Sequence, residues 1–277
     1  NKPIDDGNYL FSDEEKESFV KLEPQSAAYF KRWYGSDEFI NNKVRWCLWL
    51  GDCPPDKLRK MPHSLQRIEN VRTFRQMSKS EGTRKIADTP TRFHVENMPE
   101  SGHYLLVPRV SSERRRYIPI GFLDTSVIAS DSTLIVPNAT LYEFGVLTSQ
   151  MHMAWMRTVC GRLKSDYRYS AQIVYNNFPW PNISEEQKAA IMQKAQAVLD
   201  ARAQFPDSSL ADLYDPNTMP PVLTKVHAAL DSAVDKLYRK TAFPDDAARV
   251  AFLFELYGKK TEGLLTGKRK RGRGRSV

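Results

Sequence analysis

The feature that most constrains this chain is a change of hydrophobic period near Pro181. Between Thr91 and Val136, short β-prone runs are separated by Pro, Gly, Ser and Asn: Arg92 to Val95, Tyr104 to Val107, Tyr117 to Ile120, Val127 and Ile128, and Thr133 to Val136. Runs of this kind read as strands of a sheet with exposed loops. After Pro181 the apolar positions recur at helical spacing, with Val222, Val226, Ala229 or Leu230, Ala233 and Leu237 on one face. Helices are predicted there from Ser184 or Glu185 to Arg202, Ser209 to Tyr214, Pro221 to Tyr238 and Asp245 to Tyr257. The expected fold class is α+β, a small sheet-and-loop domain with flanking helices followed by an all-helical C-terminal domain. Residues 1–40 are expected as a helical leading segment, 41–181 as the sheet-and-loop domain, 182–266 as the helical domain and 267–277 as a disordered basic tail.

Local signals fill in the first half. Ser12 with Glu15 matches a capping box and opens a helix through Val20, and Pro24 starts a second helix ending near Gly35. Val44 to Leu50 is apolar on most of both faces and reads as a mainly buried strand with Trp46 and Trp49 in the core. Pro54-Pro55-Asp56 starts a short helix that Pro62 breaks. A longer helix then runs from Ser64 to Ser80, with Leu65, Ile68, Val71 and either Phe74 or Arg75 on its apolar face. Leu141 to Cys160 is predicted as one helix, with Gly145 a weak point inside and Gly161 a candidate C-cap.

Several function classes are excluded early. No run approaches the roughly 20 apolar residues of a membrane helix, and Gln150 and His152 interrupt the stretch from Val146 to Met156. The N-terminus shows no basic region followed by an apolar one, so a soluble cytoplasmic protein is expected, and the start at Asn1 rather than Met suggests a fragment. Three cysteines at irregular spacing and five histidines without a ligand-like pairing lead us to expect no disulfide and no bound metal. There is no Gly-x-Gly turn after a strand, no Gly-x-x-x-x-Gly-Lys-Ser/Thr and no Gly-x-Ser-x-Gly, so no catalytic residue and no cofactor-binding residue is assigned.

The formal charge of +8 is unevenly placed. Residues 41–92 carry 12 basic and 5 acidic groups, against 10 and 12 in residues 182–266. A folded basic face is expected in the first segment, a solvated helix face being the alternative. The last eleven residues add six basic groups and no acid, a polycation that suits either a nucleic-acid arm or a solubilising extension.

Two motifs carry candidate chemistry. Arg109-Val-Ser-Ser-Glu-Arg-Arg-Arg-Tyr-Ile-Pro-Ile-Gly-Phe122 places Arg109, Ser111, Ser112, Arg114, Arg115 and Arg116 in one loop. Guanidinium forks and hydroxyls suit DNA phosphates, whereas Arg114 to Arg116 also fit a solvated strand edge. In Arg162-Leu-Lys-Ser-Asp-Tyr-Arg-Tyr169, an extended backbone puts Lys164 and Asp166 on one side. There Lys is suited to guanine and Asp to the cytosine amino group, an ion pair within the loop being the alternative. Tyr175-Asn-Asn-Phe-Pro-Trp-Pro181 departs from the Asn-Pro-Pro-Tyr/Phe motif of amino-methyltransferases, because Pro179 and Pro181 are split by Trp180; it reads as a structural joint.

Glu38-Phe-Ile-Asn-Asn, Arg45-Trp-Cys-Leu-Trp-Leu50, Tyr104 to Phe122, Met151-His-Met-Ala-Trp155 and Tyr169 to Pro181 together resemble, in order, the C-terminal blocks of MmeI-type DNA methyltransferases, the Type IIL restriction-modification group. The resemblance runs from about Tyr9 to Leu265. It implies that 41–181 is a target recognition domain and that the parent is a bacterial, S-adenosylmethionine-dependent, adenine-specific methyltransferase whose catalytic domain lies outside this chain. By the same resemblance the stretch around Lys164 and Asp166 is where base readout is expected; Arg168 is expected to join them in reading bases, with Tyr167 and Tyr169 packing on sugars or bases. The implied partners are double-stranded DNA and the methyltransferase domain of the parent; no cofactor is expected in this chain, and it is expected to be inactive alone. The alternative is a protein-interaction module docking on the methyltransferase core with only non-specific DNA affinity.

Overall fold

The computed structural model describes residues 1–271, with side chains through Glu262. Contacts divide the chain into two compact units, Asn1–Pro108 with Gly121–Asn138, and Arg109–Ile120 with the chain from Ala139 onward. The division does not follow Pro181: the loop at 109–120 and the stretch 139–181 belong with the C-terminal helices. The mixed α+β class is as expected, although three small sheets replace the single one.

In the first unit, β1 (Leu10–Phe11), α1 (Asp13–Leu22), β2 (Phe30–Tyr34), α2 (Ser36–Ile40), β3 (Trp46–Leu48), α3 (Pro55–Leu58), α4 (Pro62–Gln76), α5 (Glu81–Lys85) and β4 (His103–Pro108) follow in order. The Ser12 capping box is present: Glu15 N–H donates to Ser12 Oγ at 3.2 Å, and Ser12 N–H donates to the Glu15 carboxylate at 2.7 Å. The helix predicted after Pro24 is one short 3₁₀ segment, Pro24–Tyr29, and the chain then extends into β2. Pairing with β3 decides this, with Phe30 opposite Leu48 and Arg32 opposite Trp46, and Phe30 and Trp33 are buried. Arg92 to Val95, expected as a strand, makes only an isolated bridge between Val95 and Lys2.

On α4, Ser64, Ile68, Val71 and Arg75 point inward, while Leu65, Phe74 and Met77 are exposed. Arg75 has no exposed surface. Its guanidinium donates to the carbonyls of Ile4 (2.9 Å), Ile86 (3.0 Å), Thr89 (3.1 Å), Pro3 (2.9 Å) and Arg92 (2.8 Å). All five donors of the side chain are thereby used, tying the N-terminal strand-like segment to the loop after α5.

The first unit is completed by β6 (Gly121–Asp124), β7 (Val127–Ala129) and β8 (Thr133–Pro137). One sheet has the order β1-β3-β2-β7, with β7 parallel to β2, and the other β6-β4-β8. Tyr9, Phe11, Trp33, Leu48, Leu50 and Val71 are among the side chains of its largest core.

The second unit contains β5 (Val110–Ser111), α6 (Leu141–Leu147), α7 (Gln150–Val159), β9 (Gly161–Leu163), β10 (Asp166–Arg168), a π-helical turn (Ala171–Tyr175), α8 (Glu185–Ala203), α9 (Leu210–Leu213), α10 (Pro221–Tyr238) and α11 (Asp246–Arg271). Tyr117 to Ile120 forms no strand, consistent with Pro119 lacking a donor for a ladder, yet Tyr117, Ile118 and Ile120 are buried. The single helix expected over 141–160 is two, restarted where Ser149 caps α7. Gly145 is a close-approach position rather than a weak point: a Cβ there would lie 2.9 Å from Ile191 Cγ2 and 3.1 Å from Ala195 Cβ, so its absence lets α8 pack on α6. Gly161 does not cap α7; the chain turns extended at Cys160 and Gly161 starts β9. The expected joint at 175–181 is buried at Phe178, and Asn177 Nδ2 donates to the Gln172 carbonyl at 2.9 Å.

The helix α11 reaches Arg271 and so takes in the first residues of the expected tail; residues 272–277 lie outside the described residues. No helix among the described residues is long and apolar enough to cross a membrane.

Candidate nucleic-acid interface

Within the second unit, the two arginine-rich motifs share one three-stranded sheet of order β5-β10-β9. Antiparallel pairing sets Tyr167 opposite Ser111 and Arg168 opposite Val110, and sets Asp166, Tyr167 and Arg168 opposite Leu163, Arg162 and Gly161. Tyr169 N–H extends the contact by donating to the Arg109 carbonyl at 2.7 Å. Residues 109–116 and 161–168, far apart in sequence, thus bring seven basic and two acidic side chains to one small sheet and its loops.

β9 and β10 form a hairpin whose two-residue turn is Lys164-Ser165. Lys164 has φ of 55°, a left-handed backbone that favours glycine. This corrects the extended conformation expected there: Lys164 and Asp166 do not share a strand face, because Lys164 is the exposed tip of the turn. Alternation along β10 instead places Asp166 and Arg168 on one face and Tyr167 on the other, and Arg168 is exposed whereas Tyr167 is buried.

Two contacts brace the hairpin. Arg162 lies over the Tyr167 ring at 4.2 Å, donates to the Ser165 carbonyl at 2.7 Å and pairs with Glu113 at 3.4 Å. Asp166 accepts from the Glu113 N–H at 3.4 Å. Sequence reasoning missed the roles of Arg162 and Glu113, since nothing in either motif announces that they are neighbours.

The six phosphate candidates differ in access. Arg114 is exposed, and its N–H donates to Ser112 Oγ at 3.3 Å while Arg115 N–H donates to the Ser112 carbonyl at 3.1 Å, so Ser112 shapes a turn that presents Arg114. Arg109 is half-buried. Ser111 is 2% exposed and its hydroxyl is buried without a hydrogen-bond partner among the described residues, so it is not a surface donor. Arg115 is half-buried, with Nε unpartnered. Burial lowers its guanidinium from the ordinary value, opposed by Asp215 and Asp166, although an arginine remains charged at any ordinary pH. Arg116 is half-exposed but engaged: it reaches Gln150 at 3.4 Å and Asp231 at 3.8 Å and packs over Tyr117.

Tyr169, expected to pack on sugars or bases, is instead a core residue. It is 2% exposed and its hydroxyl bonds to His152 Nε2 at 2.9 Å. Burial holds the His152 imidazole down at about 3, so the ring is neutral at neutral pH. Elsewhere in this unit, Tyr117 donates to Asp231 at 2.6 Å and stacks on His227, whose imidazole burial also lowers. These contacts fasten the 109–120 loop to α10.

In the first unit the expected basic face is largely consumed by the fold. Beyond Arg75, Arg67 donates to the Asn8 carbonyl at 2.8 Å and lies over the rings of Phe11 and Phe19. Lys43, Arg45, Lys85 and Arg92 are paired with Asp37, Glu38, Glu81 and Glu96. Among the described residues, no group of three or more His, Cys, Asp or Glu side chains is placed to hold a metal ion.

Residues 1–182 match the family model described as MmeI, target recognition domain, and residues 183–265 the one described as MmeI, C-terminal domain. The chain is 39% identical over 262 residues to DNA methyltransferase A of Bacillus subtilis strain 168, covering 95% of this chain and 30% of that protein. It is also similar to the solved structure of the Type IIL restriction-modification enzyme MmeI in complex with DNA, with a TM-score of 0.92 and 51% identity over 95% of this chain and 35% of that one. It therefore spans about a third of the length of these relatives. The chain belongs to the MmeI family, of which it carries the target recognition domain followed by the C-terminal domain.

Proposed function

We propose that this chain is the sequence-reading module of a bacterial restriction-modification DNA methyltransferase and that it binds double-stranded DNA. The observation that carries the reading is the pairing of β10 with β5, which sets a cationic loop beside an exposed hairpin tip on one sheet. A two-stranded ribbon of this size suits the major groove, where Lys164, Asp166 and Arg168 contact base edges while Arg114 and Arg109 hold the backbone. The turn geometry is compatible with the assignment, since the left-handed Lys164 backbone puts its side chain at the exposed tip. Tyr167 and Arg162 stiffen the ribbon from behind. The relative solved with DNA supports the choice of ligand.

The methyl transfer, with S-adenosylmethionine as donor and the adenine N6 atom as acceptor, belongs to the parent's methyltransferase domain, which this module serves in the bacterial cytoplasm. The donor does not fit this chain, whose sequence offers no glycine-rich strand-to-helix turn to cradle it.

Selection from a random duplex pool at two salt concentrations tests the reading. An enriched motif whose recovery falls steeply with salt is expected. Absence of binding would transfer the reading to a protein-interaction module. Titration with S-adenosylmethionine is expected to give no heat, and a saturable heat would mean that the donor site extends into this chain.

A further inference from the structure

A cleft of about 450 Å³ lies beside the C-terminal end of α10, lined by five cationic side chains and three carboxylates. The carboxylates are already engaged. Asp235 is held by Arg249 at 2.6 Å, Asp246 by Arg249 and Arg157 at 3.1 Å each, and Asp231 by Tyr117 Oη at 2.6 Å and the Gln150 N–H at 2.7 Å. Lys236 and Lys240 line the same cleft as exposed ammonium groups. Between them Arg239 is held in place, donating to the carbonyls of Thr241 and Ala242 at 2.9 Å each, with its guanidinium 3.6 Å from the Phe243 ring centroid. Arg116, from the cationic loop, lines the cleft as well.

We propose that Lys236, Arg239 and Lys240 form a second anchor for the DNA backbone, continuous with the 109–116 loop through Arg116; the proposal rests on the DNA reading above. Balancing the helix dipole suits Lys236, in the last turn of α10, and Arg239 at its cap is held by carbonyls and a ring, whereas Lys240 lies beyond the cap. The local run Lys-Leu-Tyr-Arg-Lys holds three cations and no acid inside a segment whose overall charge is negative, so segment charge concealed it. A phosphate diester suits the arrangement: one planar guanidinium fixed by carbonyls and an aromatic ring, flanked by two exposed ammonium groups that exchange counterions for phosphate oxygens.

The test uses the full chain and one duplex, with affinity measured by fluorescence anisotropy from roughly 50 to 200 mM salt. For the Lys236→Gln/Lys240→Gln variant the slope of log affinity against log salt is expected to fall in magnitude by about 2, equally for duplexes of any sequence. A control of equal charge change at exposed positions of α8 and α10 away from the cleft, Lys194→Gln/Lys225→Gln, is expected to leave the slope within about 0.5 of the original. An unchanged slope in the first variant, or an equal drop in the control, would overturn the anchor. So would pyrophosphate binding at the cleft that leaves the DNA slope untouched, which would mark a site for free phosphates. If the unsubstituted chain binds no duplex at all, the DNA reading itself fails, an outcome distinct from an unchanged slope.

Discussion

The basic segment 41–92 and the pair of segments 109–116 and 161–168 have similar chemistry in sequence and opposite fates in the fold. In the first, most of the arginines and lysines are spent on the protein itself, with Lys57, Arg59, Lys60 and Lys79 left exposed: Arg75 donates to five carbonyls, Arg67 caps an aromatic cluster, and four others are matched to carboxylates. In the second, two acids face seven bases, and Arg114, Lys164 and Arg168 remain exposed. The difference teaches that charge available to a ligand is what is left after the fold's own unsatisfied carbonyls and carboxylates have taken their share. A guanidinium within reach of five carbonyls is structural whatever the sign of its neighbourhood.

The comparison breaks most sharply at Arg75. Arg75→Met would take the guanidinium from five part-buried carbonyls, of which those of Ile86 and Thr89 keep a backbone N–H while those of Pro3, Ile4 and Arg92 lose the Arg75 donor, and urea denaturation is expected to show a loss of roughly 4 kcal/mol. Intact stability together with a weakened DNA complex would make Arg75 an interface residue and erase the contrast. Next comes acid. Burial holds His152 at about 3, against about 6.5 in an unfolded chain, so over that interval the unfolded state binds a proton that the folded state does not. Stability of the second unit should therefore fall as pH drops through 6.5 and continue falling toward 3, by about 2 kcal/mol at pH 5 from this group alone. His227 acts in the same direction. Urea midpoints at pH 7.5 and pH 5 read the loss, and a flat response would contradict two buried neutral imidazoles.

The hairpin tip offers a smaller and more discriminating change. Lys164→Gly relieves a positive φ and is expected to raise stability by up to about 1 kcal/mol, yet to lower discrimination at one base pair by about 1 to 3 kcal/mol. A variant that is more stable and equally selective would remove Lys164 from the reading surface. Smallest of all, Arg114→Ala should reduce the salt slope by about 1 without changing which duplex is preferred. A change of preference there would mean that the loop reads sequence and that the division between holding and reading is misplaced.

What could be read in advance followed from local chemistry. The Ser12 capping box, Ser184 at the head of α8 and the helices after Pro181 each depend on side chains a few residues apart, and each is found; the break at Pro62 is found too, although α4 starts at Pro62 itself rather than at Ser64. The misreadings share a cause. β2 was hidden behind a proline that suits a helix start, the inward face of α4 was open between Phe74 and Arg75, and Gly145 looked like a flaw until α8 arrived 2.9 Å from where its Cβ would be. At the candidate site, both motifs were legible as phosphate and base chemistry. Their union was not, nor was the burial of Ser111 and Tyr169, because pairing partners about 55 residues apart leave no local trace.

The sequence by itself determined the α+β class, the succession from strands to helices, the family and the residue types from which a DNA-reading surface is built. Only the tertiary structure decided which of those residues reach solvent. Strand pairing places β5 against β10, the five carbonyls around Arg75 claim its charge, and the engaged carboxylates beside α10 leave Lys236 and Lys240 exposed. The physical reason is that propensity and capping act over a turn or two of chain, whereas burial and charge neutralisation are settled by neighbours the chain meets only on folding.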